Sequence, residues 1–484
     1  MFKCIFRKDH IYKCLLNGEW VESKSGKTNK IFSPADGSFL GELQAMGLEE
    51  ADRFILTAKA AQKSWGDTAV NERAQILHKA AEILDKQKDI IANVIVKEIA
   101  KNKKTALSEV ERSVDYIHFT AEEGMRVSGE NLSSDVFPGF NNKKLSIISR
   151  VPLGVVLAVS PFNYPVNLSA SKIAPALIAG NAVVFKPPTQ GAISALYLAR
   201  VFCEAGIPAG VLNVITGQGR EIGDYLVKHP DINMVNFTGS SSVGRHIAEI
   251  AGMKPLLLEL GGKDAAIVLE DADISFAAKN IVSGAYSYSG QRCTAVKRIL
   301  VLESIADNLV DEMLPLVKKL SVGNPADDAD ITPLISDAAA DFVQGIIDDA
   351  RQKGAKLLFG DQREKNLIYP TLFDHVTVDM RLAWEEPFGP VLPIIRVKSI
   401  EEAIDISNRS EYGLQACIFT QDIDNAFDIA SKLDVGTVQI NNKSERGPDH
   451  FPFGGVKSSG LGTQGIRYSI EAMSRSKAVV INFK

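Results

Sequence analysis

The sequence predicts an α/β protein with two doubly wound domains, and three features of the chain support this prediction. Short, fully apolar segments at 155–159 and 182–185 alternate with helical patterns, as expected for parallel strands that are covered on both faces. A second alternation of strands and helices begins after the Gly261-Gly262 turn. At 484 residues the chain is also longer than one ordinary hydrophobic core requires, so more than one domain is expected.

Before the first alternation, short strands and turns are expected and then amphipathic helices. Leu77, Ala80, Ala81 and Leu84 recur at the i, i+3, i+4 and i+7 spacing of one helix face. The expected elements are short strands within 11–45, helices at 48–64, 70–100 and 102–127, a loop or hairpin at 130–144, and a strand at 145–151.

From residue 153 onward, strands and helices are expected to alternate to the end of the second domain. The expected helices lie near 167–180, 190–206, 219–228, 273–288 and 304–320, and further strands lie at 234–237, 265–269 and 299–302. The apolar tail at 478–483 has no partner nearby in sequence. We expect it to pair with the hairpin at 129–151, within one subunit or across two, because an open strand edge needs cover.

Composition and charge narrow the class of function. The chain has 54 Lys and Arg against 59 Asp and Glu, which are interspersed, so binding to nucleic acid or a membrane surface is not expected. Its five cysteines are scattered and form no CxxC pair, which argues against a disulfide framework and against a metal site. No apolar run approaches the ~18 residues that span a bilayer, and the N-terminus lacks a signal-peptide pattern. A cytoplasmic protein is therefore expected.

Cys293 is the residue on which the predicted chemistry depends. It directly follows Arg292, and a cationic neighbour favours the nucleophilic thiolate. Most single cysteines are merely small buried hydrophobes, so a second feature is needed. Glu259 supplies it, because this carboxylate ends an apolar segment and buried carboxylates are often catalytic. No histidine is close to Cys293 in sequence, so Glu259 is the predicted base, acting on water.

Other segments carry polar groups where strands end. The strand-to-helix turn at 237–244 offers backbone N–H groups for a phosphate, although the strict G-x-G-x-x-G pattern is absent. Lys186 and Asn163 both follow apolar strands, where ligands of open α/β sheets bind, and an asparagine amide can donate to an oxyanion. The segment 384–390 places two carboxylates and a phenyl ring in a rigid Pro/Gly frame. Each segment alone would be an ordinary turn or surface loop.

Six motifs occur in the order PFNYP, FKPP, FTGS, ELGGKD, GQRC and EEPFGP, and together they resemble the aldehyde dehydrogenase superfamily. The resemblance implies an aldehyde-dehydrogenase-like subunit of three parts that forms a homo-oligomer, either a tetramer or a dimer of dimers. The implied parts are a Rossmann-like cofactor domain at 1–128 and 152–260, a catalytic domain at 261–445, and an oligomerisation arm at 129–151 and 466–484.

The resemblance also implies roles for individual residues. Cys293 would be the nucleophile, Glu259 the base for deacylation, and Asn163 with the Cys293 backbone N–H the oxyanion hole. Lys186 would bind the adenosine ribose, Gly239 and Ser240 the pyrophosphate, and Glu386 and Phe388 the nicotinamide side. The full implied set of cofactor-binding residues is Ser160, Lys186, Thr189, Asp224, Gly239, Ser240, Gly244, Leu260, Glu386 and Phe388.

Finer features resemble the non-phosphorylating glyceraldehyde-3-phosphate dehydrogenase branch of the superfamily. They are Asn163-Tyr164 and the segments 290–298 and 440–447. A dianionic phosphate needs fixed cations, and arginine offers forked donors that match it. The implied substrate-binding residues are Arg112, Asn163, Tyr164, Arg292, Cys293, Thr294 and Arg446. Arg446 lies in a polar loop, where no packing role is expected.

Thr189 provides a separate argument about the cofactor. Many NAD-using relatives have a glutamate at this position, and a carboxylate ~4 Å from a 2′-phosphate would cost roughly 4 kcal/mol at an effective dielectric of about 20. The threonine hydroxyl can donate instead, so NADP is the predicted cofactor.

The predicted reaction is the irreversible oxidation of glyceraldehyde 3-phosphate to 3-phosphoglycerate with reduction of NADP+. It proceeds through a thioester on Cys293, which water activated by Glu259 hydrolyses. Two alternatives remain open at this stage. One is another small aldehyde substrate, such as succinic semialdehyde or lactaldehyde, and the other is a catalytically idle binding protein with the same fold.

Overall fold

The computed structural model describes residues 1–484. The α-helices are α1 (Leu48–Asp67), α2 (Val70–Lys86), α3 (Lys88–Ile99), α4 (Lys103–Arg126), α5 (Asn167–Ile178), α6 (Ala192–Ala205), α7 (Asp224–Lys228), α8 (Ser241–Ile250), α9 (Ile274–Tyr286), α10 (Glu303–Lys318), α11 (Asp337–Gln352), α12 (Arg381–Trp384), α13 (Ile400–Asn408), α14 (Ile423–Lys432) and α15 (Ile466–Ala472). None of the helices is long and apolar enough to cross a membrane.

The strands are β1 (Ile11–Tyr12), β2 (Cys14–Leu16), β3 (Glu19–Val21), β4 (Thr28–Phe32), β5 (Phe39–Gln44), β6 (Glu130–Ser133), β7 (Lys144–Pro152), β8 (Val155–Val159), β9 (Ala182–Lys186), β10 (Leu212–Val214), β11 (Met234–Thr238), β12 (Leu256–Glu259), β13 (Ala265–Val268), β14 (Arg298–Leu302), β15 (Lys356–Phe359), β16 (Arg363–Glu364), β17 (Leu367–Ile368), β18 (Thr371–Asp374), β19 (Val391–Val397), β20 (Tyr412–Gly413), β21 (Gln415–Phe419), β22 (Thr437–Ile440), β23 (Val456–Lys457), β24 (Gly460–Leu461) and β25 (Ser474–Asn482).

The predicted α/β class is confirmed, with two large sheets. The first sheet has eight strands in the order β24-β12-β11-β8-β9-β10-β2-β3, of which β12, β11, β8, β9 and β10 run parallel. Side chains of β8 alternate between two hydrophobic cores, with Val156 and Ala158 on one face and Val155 and Leu157 on the other. This alternation explains why the strand is apolar throughout, as a parallel strand covered on both sides must be.

The second sheet has seven strands in the order β15-β18-β19-β14-β13-β21-β22, and only β15 is antiparallel to its neighbour. It also separates two cores, since Ala265 and Ile267 of β13 face one core and Ala266 and Val268 face the other. The chain passes directly from β12 to β13 through the Gly261-Gly262 segment, so the two sheets meet where the sequence carries its predicted site.

One predicted helix is wrong in its extent. The segment 70–100 forms two helices, because the backbone at Gln87 leaves the helical region (φ −109°, ψ 4°) and its N–H bonds back to the Leu84 carbonyl at 3.0 Å. A single straight helix over 31 residues would be roughly 45 Å long, whereas the break lets both halves pack against α4. The predicted helix at 219–228 also differs, because Gly219–Gly223 is a π-helical turn and only Asp224–Lys228 is α-helical.

The tail pairs with the hairpin within the same chain. β25 runs antiparallel to β7 from Ser474 opposite Pro152 to Asn482 opposite Lys144, and β6 pairs with the other edge of β7. Several large apolar side chains of this three-stranded sheet are exposed, including Leu132, Val479 and Val480.

Candidate active site

The predicted site residues converge because of the order of strands in the first sheet. From β8 the chain proceeds outward to β9 and β10 on one side and then to β11 and β12 on the other, which creates a crevice at the carboxyl ends of the strands. Ser160, Lys186, Thr238 and Glu259 lie at the ends of β8, β9, β11 and β12. Residues that are up to 99 positions apart in sequence thus line one edge.

The amino edge of the second sheet faces this crevice. Cys293 lies in the loop that leads into β14, and Glu386 lies in the loop that leads into β19. The segment before the cysteine is conformationally strained, since Tyr288 and Ser289 both have positive φ values, of 52° and 53°. Ser289 holds this conformation by donating its hydroxyl to the Thr332 carbonyl at 2.8 Å.

A cleft of about 480 Å³ lies between the two edges, and many predicted site residues line it. Glu386 lies close to the Gly261 backbone, and a Cβ atom at this position would lie 2.2 Å from Glu386 Oε2, so a side chain there would displace this carboxylate. The structure brings together Ser160, Asn163, Gly239, Ser240, Leu260, Cys293, Glu386 and Phe388 in this lining.

A second cavity of about 450 Å³ adjoins the first and shares Phe237 and Val243 with it. Lys186 and Asp224 are in its lining. Burial lowers the pKa of Lys186 to about 8, and its only hydrogen bond is a long one of 3.5 Å to the Pro187 carbonyl, so the ammonium group is available to a ligand. Asp224 is exposed and accepts a bond from His246 Nε2 at 2.9 Å.

These two cavities fit a dinucleotide. Helix α8 begins at the boundary between them, capped by the Ser240 hydroxyl, so its N-terminal N–H groups face the space where phosphates would lie. Gly244 in this helix packs on Leu260, which a Cβ atom would meet at 2.4 Å, and the helix end therefore stays close to the sheet. Thr189 is exposed in the loop after β9 and lines neither cavity.

The electrostatics of Cys293 differ from the expectation based on Arg292. Burial raises the pKa of the Cys293 thiol well above its usual value, and the negative charge of Glu259 raises it further. The main opposing charge is Lys297, whose ammonium also donates to the Cys293 carbonyl and lies 3.0 Å from Glu386 Oε1. The Arg292 guanidinium donates instead to the Gly284 carbonyl. The sequence assigned the activating charge to Arg292, whereas Lys297 is the cation that lowers the pKa of this thiol in the structure.

Glu259 is buried, with 1% of its surface exposed, and neither carboxylate oxygen has a hydrogen-bond partner. A bare carboxylate in such a place is costly unless water or substrate completes its bonds. Lys172 lies near this carboxylate. Burial lowers the pKa of Lys172 to about 7, and the negative charge of Glu259 opposes that shift. Its ammonium donates to Asn236 Oδ1 at 3.1 Å and Thr238 Oγ1 at 2.6 Å.

Asn163 is also buried, and its amide nitrogen donates to the Gln291 carbonyl at 3.0 Å. This bond joins the loop after β8 to the loop that carries Cys293. The amide is thus held against a residue two positions before the thiol, and both Asn163 and Cys293 line the larger cleft.

A third, smaller cavity of about 100 Å³ opens on the other side of Cys293. Its lining includes Arg112, Tyr164, Arg292, Cys293, Thr294 and Arg446, together with Glu259. Three arginines thus line one small polar cavity, together with the carboxylates of Glu259 and Glu445. Such a site suits a dianion that is attached to the reacting carbon by a short linker.

Arg112 and Arg446, which come from distant parts of the chain, both contact the carboxylate of Asp449. Arg112 donates to Asp449 through Nε at 2.6 Å and Nη2 at 2.8 Å, and it also bonds to the Arg446 carbonyl at 2.8 Å. Arg446 Nε lies 3.5 Å from Asp449 Oδ1. The Arg446 Nη1 and Nη2 atoms are buried and have no partner.

Arg446 also has a packing role, contrary to the prediction. Its guanidinium lies 4.9 Å from the centre of the Phe453 ring, and only 10% of its side chain is exposed. The loop folds back on itself after β22, which the polar sequence at 441–448 did not reveal.

Several charged residues at the site were missed by the sequence reasoning. They are Lys101, Glu109, Lys172, Lys297 and Asp449. Two of them carry a signal in the sequence, since Lys172 is the only charged residue in the segment 168–178 and Lys297 follows Cys293 by four positions. The other three reach the site only through tertiary contacts.

These features define a class of protein: an α/β dehydrogenase in which a dinucleotide crevice meets a buried cysteine and a buried carboxylate. The aldehyde dehydrogenase family model matches residues 20–479. The chain belongs to the aldehyde dehydrogenase family.

Within this family, the chain is similar over nearly its whole length to several relatives that share one name. The chain is 59% identical to the NADP-dependent glyceraldehyde-3-phosphate dehydrogenase of Streptococcus equinus, over 97% of this chain and 98% of the relative. It is 53% identical to the Pisum sativum enzyme of the same name, over 98% and 95%. Among solved structures, it matches the Bacillus halodurans NADP-dependent glyceraldehyde-3-phosphate dehydrogenase complexed with NADP, with a TM-score of 0.97, 55% identity and coverage of 98% and 99%.

Proposed function

We propose that the protein oxidises glyceraldehyde 3-phosphate to 3-phosphoglycerate with NADP+ as the electron acceptor. The names of the relatives at 53–59% identity support both substrate and cofactor. One observation in the structure carries the substrate proposal: Arg446 lines a cavity with Arg112 and Arg292, and its two Nη atoms are buried without a partner. Buried guanidinium donors without acceptors are costly, and a phosphate would satisfy them.

Within this proposal Cys293 is the nucleophile. Its thiolate adds to the aldehyde carbon, and the resulting oxyanion accepts hydrogen bonds from the Asn163 amide and the Cys293 backbone N–H. The three arginines and Cys293 line the same small cavity, which suits a phosphate two carbons from the aldehyde.

Glu259 serves the second half of the reaction. After oxidation the acyl group is a thioester on Cys293, and the buried carboxylate, which has two free oxygens, takes a proton from the attacking water. The C–S bond breaks, the acid leaves and the thiol is restored. Overall, one aldehyde, one NADP+ and one water give one carboxylate, one NADPH and two protons.

NADP, when bound, supplies the acceptor for the two electrons of the aldehyde C–H bond. We assign Lys186 to its adenosine ribose, Gly239 and Ser240 to its pyrophosphate, and Glu386 and Phe388 to its nicotinamide side. Thr189 is exposed in the loop next to Lys186, where a ribose 2′-phosphate would meet a hydroxyl rather than a carboxylate. Asp224, Ser160, Gly244 and Leu260 shape the same crevice.

We further infer that the subunit has the three parts expected from the sequence and assembles through the three-stranded sheet of β6, β7 and β25. Exposed Val479, Val480 and Leu132 on that sheet support an interface between copies, either in a tetramer or in a dimer of dimers. All five cysteines are free, which is consistent with a reducing, cytoplasmic environment.

A panel of aldehydes tests the proposed function. NADPH formation should be fastest in kcat/KM with glyceraldehyde 3-phosphate, without added inorganic phosphate, and the product should be 3-phosphoglycerate. Succinic semialdehyde, lactaldehyde and glyceraldehyde serve as comparison substrates. Greater kcat/KM for any of these three, or a requirement for added phosphate, would contradict the proposal.

A further inference from the structure

Lys101 is a buried charge that the reaction as described does not use. It follows α3 directly, after Ala100 turns the chain with a φ of 53°, and its side chain is fully buried. Its ammonium donates to Glu109 Oε2 at 2.5 Å and to the Asn163 carbonyl at 2.7 Å. The same atom lies 3.6 Å from the ring centre of Tyr164 and 4.5 Å from that of Tyr288.

A buried ion pair contributes little to stability, because removing two charges from water costs about as much as their attraction returns. The pair of Lys101 and Glu109 therefore calls for another explanation. Glu109 Oε1 accepts the backbone N–H groups of Val166 at 2.9 Å and Asn167 at 3.1 Å. Together the two side chains hold the segment 163–167 at three places: the Asn163 carbonyl, the Tyr164 ring and the backbone N–H groups at the start of α5.

The same ammonium group contacts the segment that carries the nucleophile. Tyr288 precedes Cys293 by five residues and is held in a left-handed conformation, with its hydroxyl donating to the Ile99 carbonyl at 3.3 Å. The two segments are also joined by the bond from the Asn163 amide to the Gln291 carbonyl. Lys101 thus lies between the residue proposed to bind the oxyanion and the strained turn before the thiol.

We propose that Lys101, held by Glu109, is a positioning residue that sets the placement of Asn163 and Tyr164 relative to Cys293. It contacts neither substrate nor cofactor directly. The ammonium group fixes the Asn163 backbone by its hydrogen bond to the carbonyl, and the Asn163 side chain is then directed towards Gln291. Its position against the Tyr164 ring fixes the ring by a cation–π contact, which is worth most when desolvated. The experiment below uses glyceraldehyde 3-phosphate as the substrate, and this choice rests on the proposed function.

Lys101→Met tests the proposal, with Lys101→Arg as the conservative variant. The readout is the first-order rate constant of NADPH formation in the first turnover, which does not depend on the fraction of the protein that is folded. We expect Lys101→Met to slow the burst by about 10- to 100-fold, since a displacement of ~1 Å at a reacting group costs on this scale. Arginine should restore part of the rate. The Kd for NADP should change by less than about twofold, because the crevice is on other elements.

Two further variants separate positioning from stability. The double variant Lys101→Met, Glu109→Gln leaves no unpaired buried charge, so it should fold even where the single variant does not, yet its burst should remain slow. Arg396→Met removes a pair with Asp374 in the second sheet, away from the crevice. It should lower the Tm while leaving the burst per folded site unchanged.

A first-turnover rate constant equal to that of the wild type in Lys101→Met or in the double variant would overturn the positioning role. So would equal rates for the Met and Arg variants. Failure of the proposed function looks different, because in that case the wild-type protein itself would show no preference for glyceraldehyde 3-phosphate. The comparison between variants can then be repeated with whichever aldehyde the wild type oxidises.

Discussion

The charge of Glu259 raises the pKa of the Cys293 thiol, so the two residues proposed to act in successive steps oppose each other in the resting protein. Burial acts in the same direction and is the larger cause. A carboxylate that is needed for hydrolysis therefore makes the nucleophile harder to ionise. Lys297 compensates in part, since its positive charge lowers the pKa of the same thiol.

The pH dependence of thiol alkylation should report this opposition. Glu259→Gln removes a negative charge that disfavours the thiolate, so the midpoint for iodoacetamide alkylation of Cys293 should move to lower pH. Lys297→Met removes a charge that favours the thiolate, so its midpoint should move to higher pH. No shift in either variant would show that neither charge acts on the sulfur, and shifts in the same direction would contradict one of the two assignments.

Glu259→Gln should also separate the two halves of catalysis. Acylation and oxidation need no base once the thiolate exists, whereas hydrolysis of the thioester needs an activated water. Rapid mixing should show about one NADPH per active site followed by negligible turnover. A steady state equal to that of the wild type would mean that another group activates the water.

Thr189→Glu should weaken the binding of NADP far more than that of NAD. A carboxylate near the 2′-phosphate repels it, at a cost of roughly 4 kcal/mol for a separation of ~4 Å and an effective dielectric of about 20. Because Thr189 is exposed, the substitution should leave the Tm unchanged. Titration of both cofactors by fluorescence provides the measurement, and Thr189→Gln is the uncharged control. Equal losses for the two cofactors would place Thr189 away from the phosphate.

Arg446→Ala should reveal the substrate phosphate. The loss in kcat/KM for glyceraldehyde 3-phosphate should be on the order of 2–5 kcal/mol, the scale for removing one side of a desolvated charge pair. The kcat/KM for unphosphorylated glyceraldehyde should fall far less, because Arg446 affects that substrate only through the support that its contacts with Phe453 and Asp449 give to the loop. Lysine should recover part of the loss, because it supplies charge without the fork.

Equal losses for both aldehydes would contradict this assignment, since they would show that Arg446 only supports the loop. The Tm of each variant serves as a control for that supporting role. Asp449→Asn provides a second check, because it releases both Arg112 and Arg446 from their shared carboxylate while leaving both cations in place.

Periodicity and local chemistry were sufficient for most of the framework. The segments 155–159 and 182–185, which form β8 and most of β9, are apolar throughout and buried on both faces. A strand without polar residues is expected only where both of its faces are covered. The break at Gln87 was not predictable in this way. The hydrophobic spacing continues through it, and only the packing of α2 and α3 against α4 favours two helices over one.

The sequence by itself determined the fold class, the segments that carry the chemistry, and the identity of Cys293 and Glu259 as candidates. Each of these depends on residues that are neighbours in the chain, where local propensity and motif spacing apply. Tertiary structure alone decided which charges act on those candidates. Arg292 adjoins Cys293 in sequence yet bonds to the Gly284 carbonyl, while Lys101, from 62 positions before Asn163, bonds to that residue's carbonyl. Electrostatic effects depend on distance and burial in space, and neither can be obtained from the order of residues along the chain.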